Sequence, residues 1–172
     1  DYTLLGDNVH CTTKGKSYIP VQFYGLNSSA SKLDAEFFMT PLLFAMQRLE
    51  NLFDMDIDLP KLDLVIVPSM ALGGMEHHGS IYLAEAAAIV PPGKGYDSER
   101  EELIELIIHE VAHYFVGNIT GLPFWVKEGL AQYYELHLAD EFLSRRSLHS
   151  KLKPRVGGGD AFHMSKGSGK SS

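Results

Sequence analysis

The sequence contains a single cysteine, Cys11, and no long apolar run. One cysteine can form no disulfide within the chain, and it cannot supply the several thiolates of a Cys-rich zinc module. Apolar stretches such as 64–67 and 103–108 fall far below the ~18 residues that a membrane span requires, and Glu105 interrupts the second. The sequence therefore predicts neither a disulfide-stabilised domain nor a transmembrane segment.

Positive charge is also scarce in most of the chain. The 172 residues include 15 Lys and Arg against 22 Asp and Glu, which gives a net charge of −7. Residues 1–143 carry −13, whereas residues 144–172 carry +6. An acidic body argues against nucleic acid as a partner, because a phosphate backbone requires a basic surface.

Composition divides the chain into three parts. Residues 1–16 form a polar N-terminal segment, residues 17–143 form the body, and residues 144–172 form a basic tail rich in glycine and serine. We expect much of the tail to be mobile, because it has few apolar side chains to bury. The sequence begins at Asp1 without a signal-peptide pattern, and we expect it to be a piece of a longer chain.

Hydrophobic periodicity predicts an α+β fold, in which a small mixed sheet packs on helices. The segments with strand character are 18–24, 62–67 and 79–83. The segments with helix character are 31–53, 98–116 and 124–143. Pro41 would kink or split the first helix, and 68–79 reads as a loop. Residues 84–90 fit either a strand or a helix.

The most informative segment is HEVAH, from His109 to His113, inside the second predicted helix. Residues four apart share one helix face, so both imidazoles can bind one metal ion. Glu110 projects on the neighbouring edge, where it can act on water rather than bind the metal. Imidazole and carboxylate ligands with one open position are typical of catalytic zinc. A surface helix with two unrelated histidines is the alternative, and the apolar residues around the motif disfavour it.

Two glutamates on the third predicted helix can complete the site. Glu128, in the segment WVKEGLA, follows a turn short enough for the two helices to lie antiparallel, and it is our predicted third ligand. The alternative for Glu128 is a surface glutamate paired with Lys127. Glu135 lies two helical turns further on the same face, where it would either orient a ligand histidine or face solvent.

A second motif, GGMEH, precedes the predicted strand at 79–83. Its residues are Gly73, Gly74, Met75, Glu76 and His77. Two glycines let the backbone approach a ligand closely, and a carboxylate beside them can bind a free α-amino group. Taken alone, this pattern fits any turn.

In their order along the chain, GGMEH, HEVAH and WVKEGLAQYYE resemble the gluzincin zinc aminopeptidases typified by aminopeptidase N. That family combines a G-x-M-E-N loop, HExxH and a later glutamate ligand, and the resemblance covers about residues 17–136. It implies a thermolysin-like catalytic lobe, one Zn²⁺ ion, and hydrolysis of the N-terminal bond of peptide substrates with a free N-terminus.

The resemblance also implies a role for each matching residue. His109, His113 and Glu128 would bind zinc, and Glu110 would be the general base. Glu76 would anchor the substrate amine. The other substrate-binding positions would be Gly73, Gly74, Met75 and His77. Glu135 would support a ligand histidine.

The chain departs from the family pattern in three ways. The segment 114–127 between the second histidine and Glu128 is shorter, and His77 replaces an asparagine that contacts the substrate backbone. The family's catalytic tyrosine lies further past Glu128 than this chain extends. We therefore expect residues 17–143 to be a partial metallopeptidase catalytic domain, truncated and weakly active, with the rest of that domain as its partner.

Two other functions fit the same motifs. A zinc endopeptidase of the wider HExxH group would share the metal ligands but would not need a free substrate amine. A non-catalytic binding module derived from a peptidase would keep the fold without turnover. A closed structural zinc site usually has four protein ligands, whereas only three can be named here.

Overall fold

The computed structural model describes residues 1–15, 17–89, 98–117 and 121–145, and it confirms the α+β class. In chain order, the strands and α-helices are β1 (Tyr2–Cys11), β2 (Tyr18–Leu26), α1 (Ala35–Phe53), β3 (Leu62–Val67), β4 (Gly74–His77), β5 (Ser80–Ala84), α2 (Glu85–Ala88), α3 (Ser98–Val116) and α4 (Phe124–Arg145). Residues 90–97 and the basic tail from residue 146 onward lie outside the described residues. Within the described ranges, no helix combines the length and the apolar character needed to cross a membrane.

The five strands form one mixed sheet in the order β1-β2-β3-β5-β4. Strands β2, β3 and β5 run parallel to one another, and the outer strands β1 and β4 pair antiparallel with β2 and β5. Strand β4 is therefore an edge strand, and it lies in contact with α3. This places the GGMEH motif beside the helix that carries HEVAH.

The core lies between one face of the sheet and the helices. Alternate residues of the three central strands are fully buried, among them Val21, Leu64 and Ile81. Phe23 of β2 stacks on Phe38 of α1 with ring centroids 4.7 Å apart. Alternating burial of this kind is what a sheet with one covered face requires.

A second set of aromatic contacts joins the helices to one another. The rings of Phe53 on α1 and Phe115 on α3 stack at 5.2 Å, and Phe53 also meets Tyr134 of α4 at 5.3 Å. Helices α3 and α4, which carry the predicted metal ligands, are thus fixed to each other and to α1.

The local structure differs from the sequence-based expectations in four places. The N-terminal segment 1–16 contains β1, and part of the predicted loop 68–79 is β4. The first long helix begins after Asp34 rather than near Ser31, because the Asp34 carboxylate accepts hydrogen bonds from the backbone N–H groups of Glu36 and Phe37. That helix also continues through Pro41 without a break.

A buried polar cluster ties the β1–β2 hairpin to the end of α1. Glu50 is fully buried, and its carboxylate accepts hydrogen bonds from three groups. The donors are His10 Nε2 at 2.9 Å, the Thr13 backbone N–H at 3.0 Å and the Ile57 backbone N–H at 2.9 Å. His10 and Thr13 belong to the hairpin, whereas Ile57 follows the end of α1, so the cluster holds these segments together.

Candidate metal centre

Helix α3 presents two different sides. Ile107, Ile108 and Val111 are fully buried in the core, as an apolar helix face requires. His109 and His113 lie one turn apart on the other side, where they line an open cleft of about 630 Å³ between β4, α3 and α4. The helical spacing in the sequence therefore places both imidazoles toward one space.

Three side chains form a cluster of ligand atoms in that cleft. His109 Nε2 and His113 Nε2 are 3.0 Å apart. The two carboxylate oxygens of Glu128 lie 3.6 Å from these nitrogens, one from each ring. One ligand atom from each residue can be chosen so that all three lie within 4.8 Å of one another. This triad can converge on one divalent cation.

Glu135 lies beside the triad on α4. Its Oε2 atom is 2.9 Å from His109 Nδ1, so the carboxylate accepts a hydrogen bond from that ring nitrogen. In the neutral imidazole, a proton on Nδ1 serves this contact, and Nε2 is then a free acceptor directed toward His113 and Glu128. The hydrogen bond favours a Glu135 that orients His109 over one that faces solvent.

The surroundings shift the two histidine pKa values in opposite directions. Burial lowers the pKa of His109, but the hydrogen bond to Glu135 and the nearby carboxylates outweigh burial and raise the pKa overall. Burial also lowers the pKa of His113, and the neighbouring His109 adds to this effect, so the pKa of His113 falls.

Glu110 faces the backbone of β4 rather than open solvent. The nearby Glu76 backbone N–H favours the charged form of the Glu110 carboxylate. A Cβ atom on Gly74 would lie only 2.3 Å from Glu110 Oε1, so the strand approaches this closely because position 74 has no side chain. Burial raises the pKa of Glu110 to about 7, and the charges of Glu76 and Glu128 act in the same direction against His109.

Most of the GGMEH motif also lines the cleft. Gly73, Gly74, Met75 and Glu76 face it together with the triad, Glu110 and Glu135. His77 does not belong to this lining, and its exposed ring instead packs edge-on against Tyr82 of β5 at 5.4 Å. The structure thus brings Glu76 to the metal triad and leaves His77 outside the cleft.

Sequence reasoning overlooked Tyr114, the residue that follows His113. Its side chain is buried, and its hydroxyl hydrogen-bonds to the turn between β4 and β5. Burial raises the pKa of Tyr114 to about 12, so the hydroxyl stays protonated. The available signal was its spacing of four from Glu110, which puts both residues on the helix side that meets β4.

Comparison with known proteins shows that this chain is similar to aminopeptidases. Aminopeptidase Q of Mus musculus is 35% identical over 98 residues, which cover 55% of this chain and 18% of that protein. Endoplasmic reticulum aminopeptidase 2 of Bos taurus is 38% identical over 91 residues, which cover 51% of this chain and 10% of that protein. The chain therefore spans less than a fifth of the length of either relative.

A solved structure and a family profile extend this likeness. The crystal structure of Legionella pneumophila aminopeptidase A in complex with aspartic acid matches with a TM-score of 0.69 and 24% identity, over 82% of this chain and 16% of that chain. This match shows a shared fold. The profile of the peptidase family M1 domain matches residues 40–163, a range that includes β4 and the whole triad. Because that range covers more than half of the sequence, this chain belongs to peptidase family M1.

Proposed function

We propose that this chain carries the metal centre of a zinc aminopeptidase, which hydrolyses the first peptide bond of substrates with a free N-terminus. One observation carries the proposal. His109, His113 and Glu128 converge in a cleft that two further carboxylates, Glu110 and Glu76, also line. The names of the relatives support the same activity, since they are aminopeptidases.

The geometry of the triad suits zinc. Two atoms bound to one zinc ion at about 2.0–2.1 Å, with tetrahedral angles, lie about 3.3 Å apart. The separations of 3.0 Å between the imidazole nitrogens and 3.6 Å to the Glu128 oxygens lie on either side of that value. Two imidazoles and one carboxylate are also a donor set that leaves a fourth position open, as catalytic zinc sites do.

In the proposed hydrolysis, the metal and Glu110 have different roles. Zinc, when bound, polarises the scissile carbonyl and makes water more acidic. The Glu110 carboxylate accepts the proton of the attacking water and then passes it to the leaving amine. Its raised pKa brings the carboxylate close to the neutral range, where a group both accepts and releases a proton readily.

Glu76 favours an exopeptidase over an endopeptidase. The Glu76 carboxylate lines the cleft together with the triad, and its charge acts on the pKa values of both His113 and Glu110. An ammonium group bound to Glu76 would leave room for only a short stretch of substrate before the triad. The first peptide bond is then the one that meets Glu110.

The metal assignment is tested with the variant Glu128→Ala. We expect one zinc ion per wild-type chain by elemental analysis, and an affinity at least about tenfold lower in the variant, because one of three protein ligands is lost. Glu102→Gln is the matched control, since Glu102 lines the same cleft but lies outside the triad. Equal zinc stoichiometry and affinity in wild type and Glu128→Ala would remove Glu128 from the site.

The reaction is tested with Glu110→Gln and Glu76→Gln. Loss of the general base in Glu110→Gln should lower kcat by about 10²–10⁴ while zinc stays bound. Glu76→Gln should abolish the preference for free over N-acetylated peptides, since the amide no longer attracts an ammonium group. A wild-type protein that cleaves acetylated peptides as fast as free ones contradicts the aminopeptidase assignment and favours an endopeptidase.

A further inference from the structure

Tyr114 connects the metal-bearing helix to the strand that carries Glu76. It follows His113 directly on α3, and its side chain is 5% exposed. The Gly79 backbone N–H donates to the Tyr114 hydroxyl at 2.9 Å, and the hydroxyl donates to the carbonyl oxygen of His77. The Tyr114 hydroxyl thus bonds to the backbone at both ends of the β4–β5 turn, to the carbonyl of His77 and to the N–H of Gly79.

Strand β4 has few other anchors on the α3 side. It is four residues long and lies at the edge of the sheet, so it pairs with a neighbouring strand only through β5. At the other end of β4, the backbone of Gly74 comes so close to the Glu110 carboxylate that an added Cβ atom would lie 2.3 Å from Oε1. Glu110 and Tyr114, four residues apart on α3, therefore hold β4 at two points.

The turn itself needs this support. Gly79 has a φ of +84°, and its N–H points to the Tyr114 hydroxyl. The carbonyl oxygen of Gly79 accepts a second hydrogen bond from the Asp63 N–H at 3.0 Å, which remains when the hydroxyl is removed. Loss of the hydroxyl should therefore loosen the turn without unfolding the sheet.

We propose that Tyr114 is a positioning residue that fixes β4, and with it the Glu76 carboxylate, at a set distance from His109, His113 and Glu128. This rests on the proposed function in one respect, since Glu76 is taken to bind the substrate amine. Tyr114 sets the preference for a free N-terminus through the hydroxyl alone, because the rest of the ring packs in the core.

The test compares wild type with Tyr114→Phe. Tyr24→Phe is the matched control, since the Tyr24 hydroxyl also donates one hydrogen bond, to Gln22 on its own strand β2, away from the cleft. The first measurement is amide hydrogen exchange at Gly79 and Glu76 by NMR. The second is binding of the dipeptide Leu-Gly and of N-acetyl-Leu-Gly to the zinc-loaded proteins, followed by kcat and KM for a peptide amide.

We expect Tyr114→Phe to raise the exchange rate at Gly79 by about tenfold, the effect of losing one hydrogen bond. Affinity for Leu-Gly should fall by about three- to tenfold, while affinity for the acetylated form and for zinc stays within about twofold. In turnover, KM should rise more than kcat falls. Tyr24→Phe should match wild type in every measurement.

Two results would overturn the proposal. One is unchanged exchange at both Gly79 and Glu76 in Tyr114→Phe. The other is an equal loss of affinity for the free and acetylated dipeptides, which would indicate general loosening. If wild type itself binds both dipeptides equally, the proposed aminopeptidase function fails, and with it the link to the amine, whereas the exchange data still decide whether Tyr114 holds β4.

Discussion

Two histidine–glutamate pairs in this molecule have the same geometry but different surroundings. His10 Nε2 lies 2.9 Å from Glu50 Oε2, and His109 Nδ1 lies 2.9 Å from Glu135 Oε2. The first pair is almost wholly buried, with side chains 5% and 0% exposed. The second pair borders the cleft, with 19% and 18% exposed.

The difference lies in what the remaining polar atoms contact. Glu50 also receives the backbone N–H groups of Thr13 and Ile57, so its hydrogen bonds end within the fold. In the cleft pair, the second nitrogen of His109 faces His113 and Glu128. The His10–Glu50 pair therefore ties parts of the fold together, whereas in the His109–Glu135 pair the other imidazole nitrogen is directed toward the proposed metal site.

The largest expected effect is a difference in the free energy of unfolding lost when each pair is broken. Glu50→Ala should lower the free energy of unfolding by about 3–5 kcal/mol, because it leaves buried donors without an acceptor. Glu135→Ala should cost about 1 kcal/mol or less, since that pair is partly exposed. Urea denaturation of both metal-free variants measures this contrast, and equal losses would contradict it.

The next expected effect is a pH-dependent change in stability at a second buried carboxylate, Glu110. The pKa of folded Glu110 is raised from 4.5 to about 7, so the stabilisation it gives is complete below about pH 4.5 and is lost as pH rises through 7. Glu110→Gln keeps the neutral form at every pH. The metal-free variant should therefore exceed wild type in stability by up to about 3 kcal/mol near pH 8, with a smaller difference near pH 5.

Urea denaturation at the two pH values measures this difference. Glu50→Gln serves as the comparison, and it should destabilise the protein at both pH values because an amide cannot replace a carboxylate that receives three donors. A Glu110→Gln variant less stable than wild type near pH 8 would show that burial does not dominate at this carboxylate.

The smallest expected effect is a change in zinc affinity. Glu135→Gln should lower zinc affinity by about 10–100-fold, because the amide no longer orients His109 or increases its basicity. The carboxylate also raises the pKa of His109 above its ordinary 6.5, so protons compete with zinc more strongly in wild type as pH falls. The loss should thus be larger near pH 8 than near pH 6, as measured by competition with a chelator. A loss of the same size at both pH values would show that Glu135 does not act through the His109 proton.

The sequence was most informative where the site is local. His109, Glu110 and His113 share one helix, and Glu128 follows on the next helix after a short turn. Helical periodicity is sufficient to place such residues, and the structure brings the three predicted ligands together. Their chemical roles, and that of Glu76, stay predictions.

The expectations failed where structure depends on distant partners. Strand β4 is too short and too rich in glycine to be recognised alone, and pairing with β5 and contact with Glu110 define it. Strand β1 contains a register shift between Leu4 and Gly6 and several polar residues, which obscure its alternation. Glu50 and His10 are forty positions apart, so no local pattern joins them.

Two separate parts of the fold line the cleft. The proposed ion-holding residues come from one helical hairpin, whereas Glu76 comes from the rim of the sheet. Substitutions in β4 or its turn can therefore move Glu76 while the three proposed ligands on the hairpin stay in place. If the proposed function holds, selectivity for peptide ends can change in this way without loss of the metal ligands.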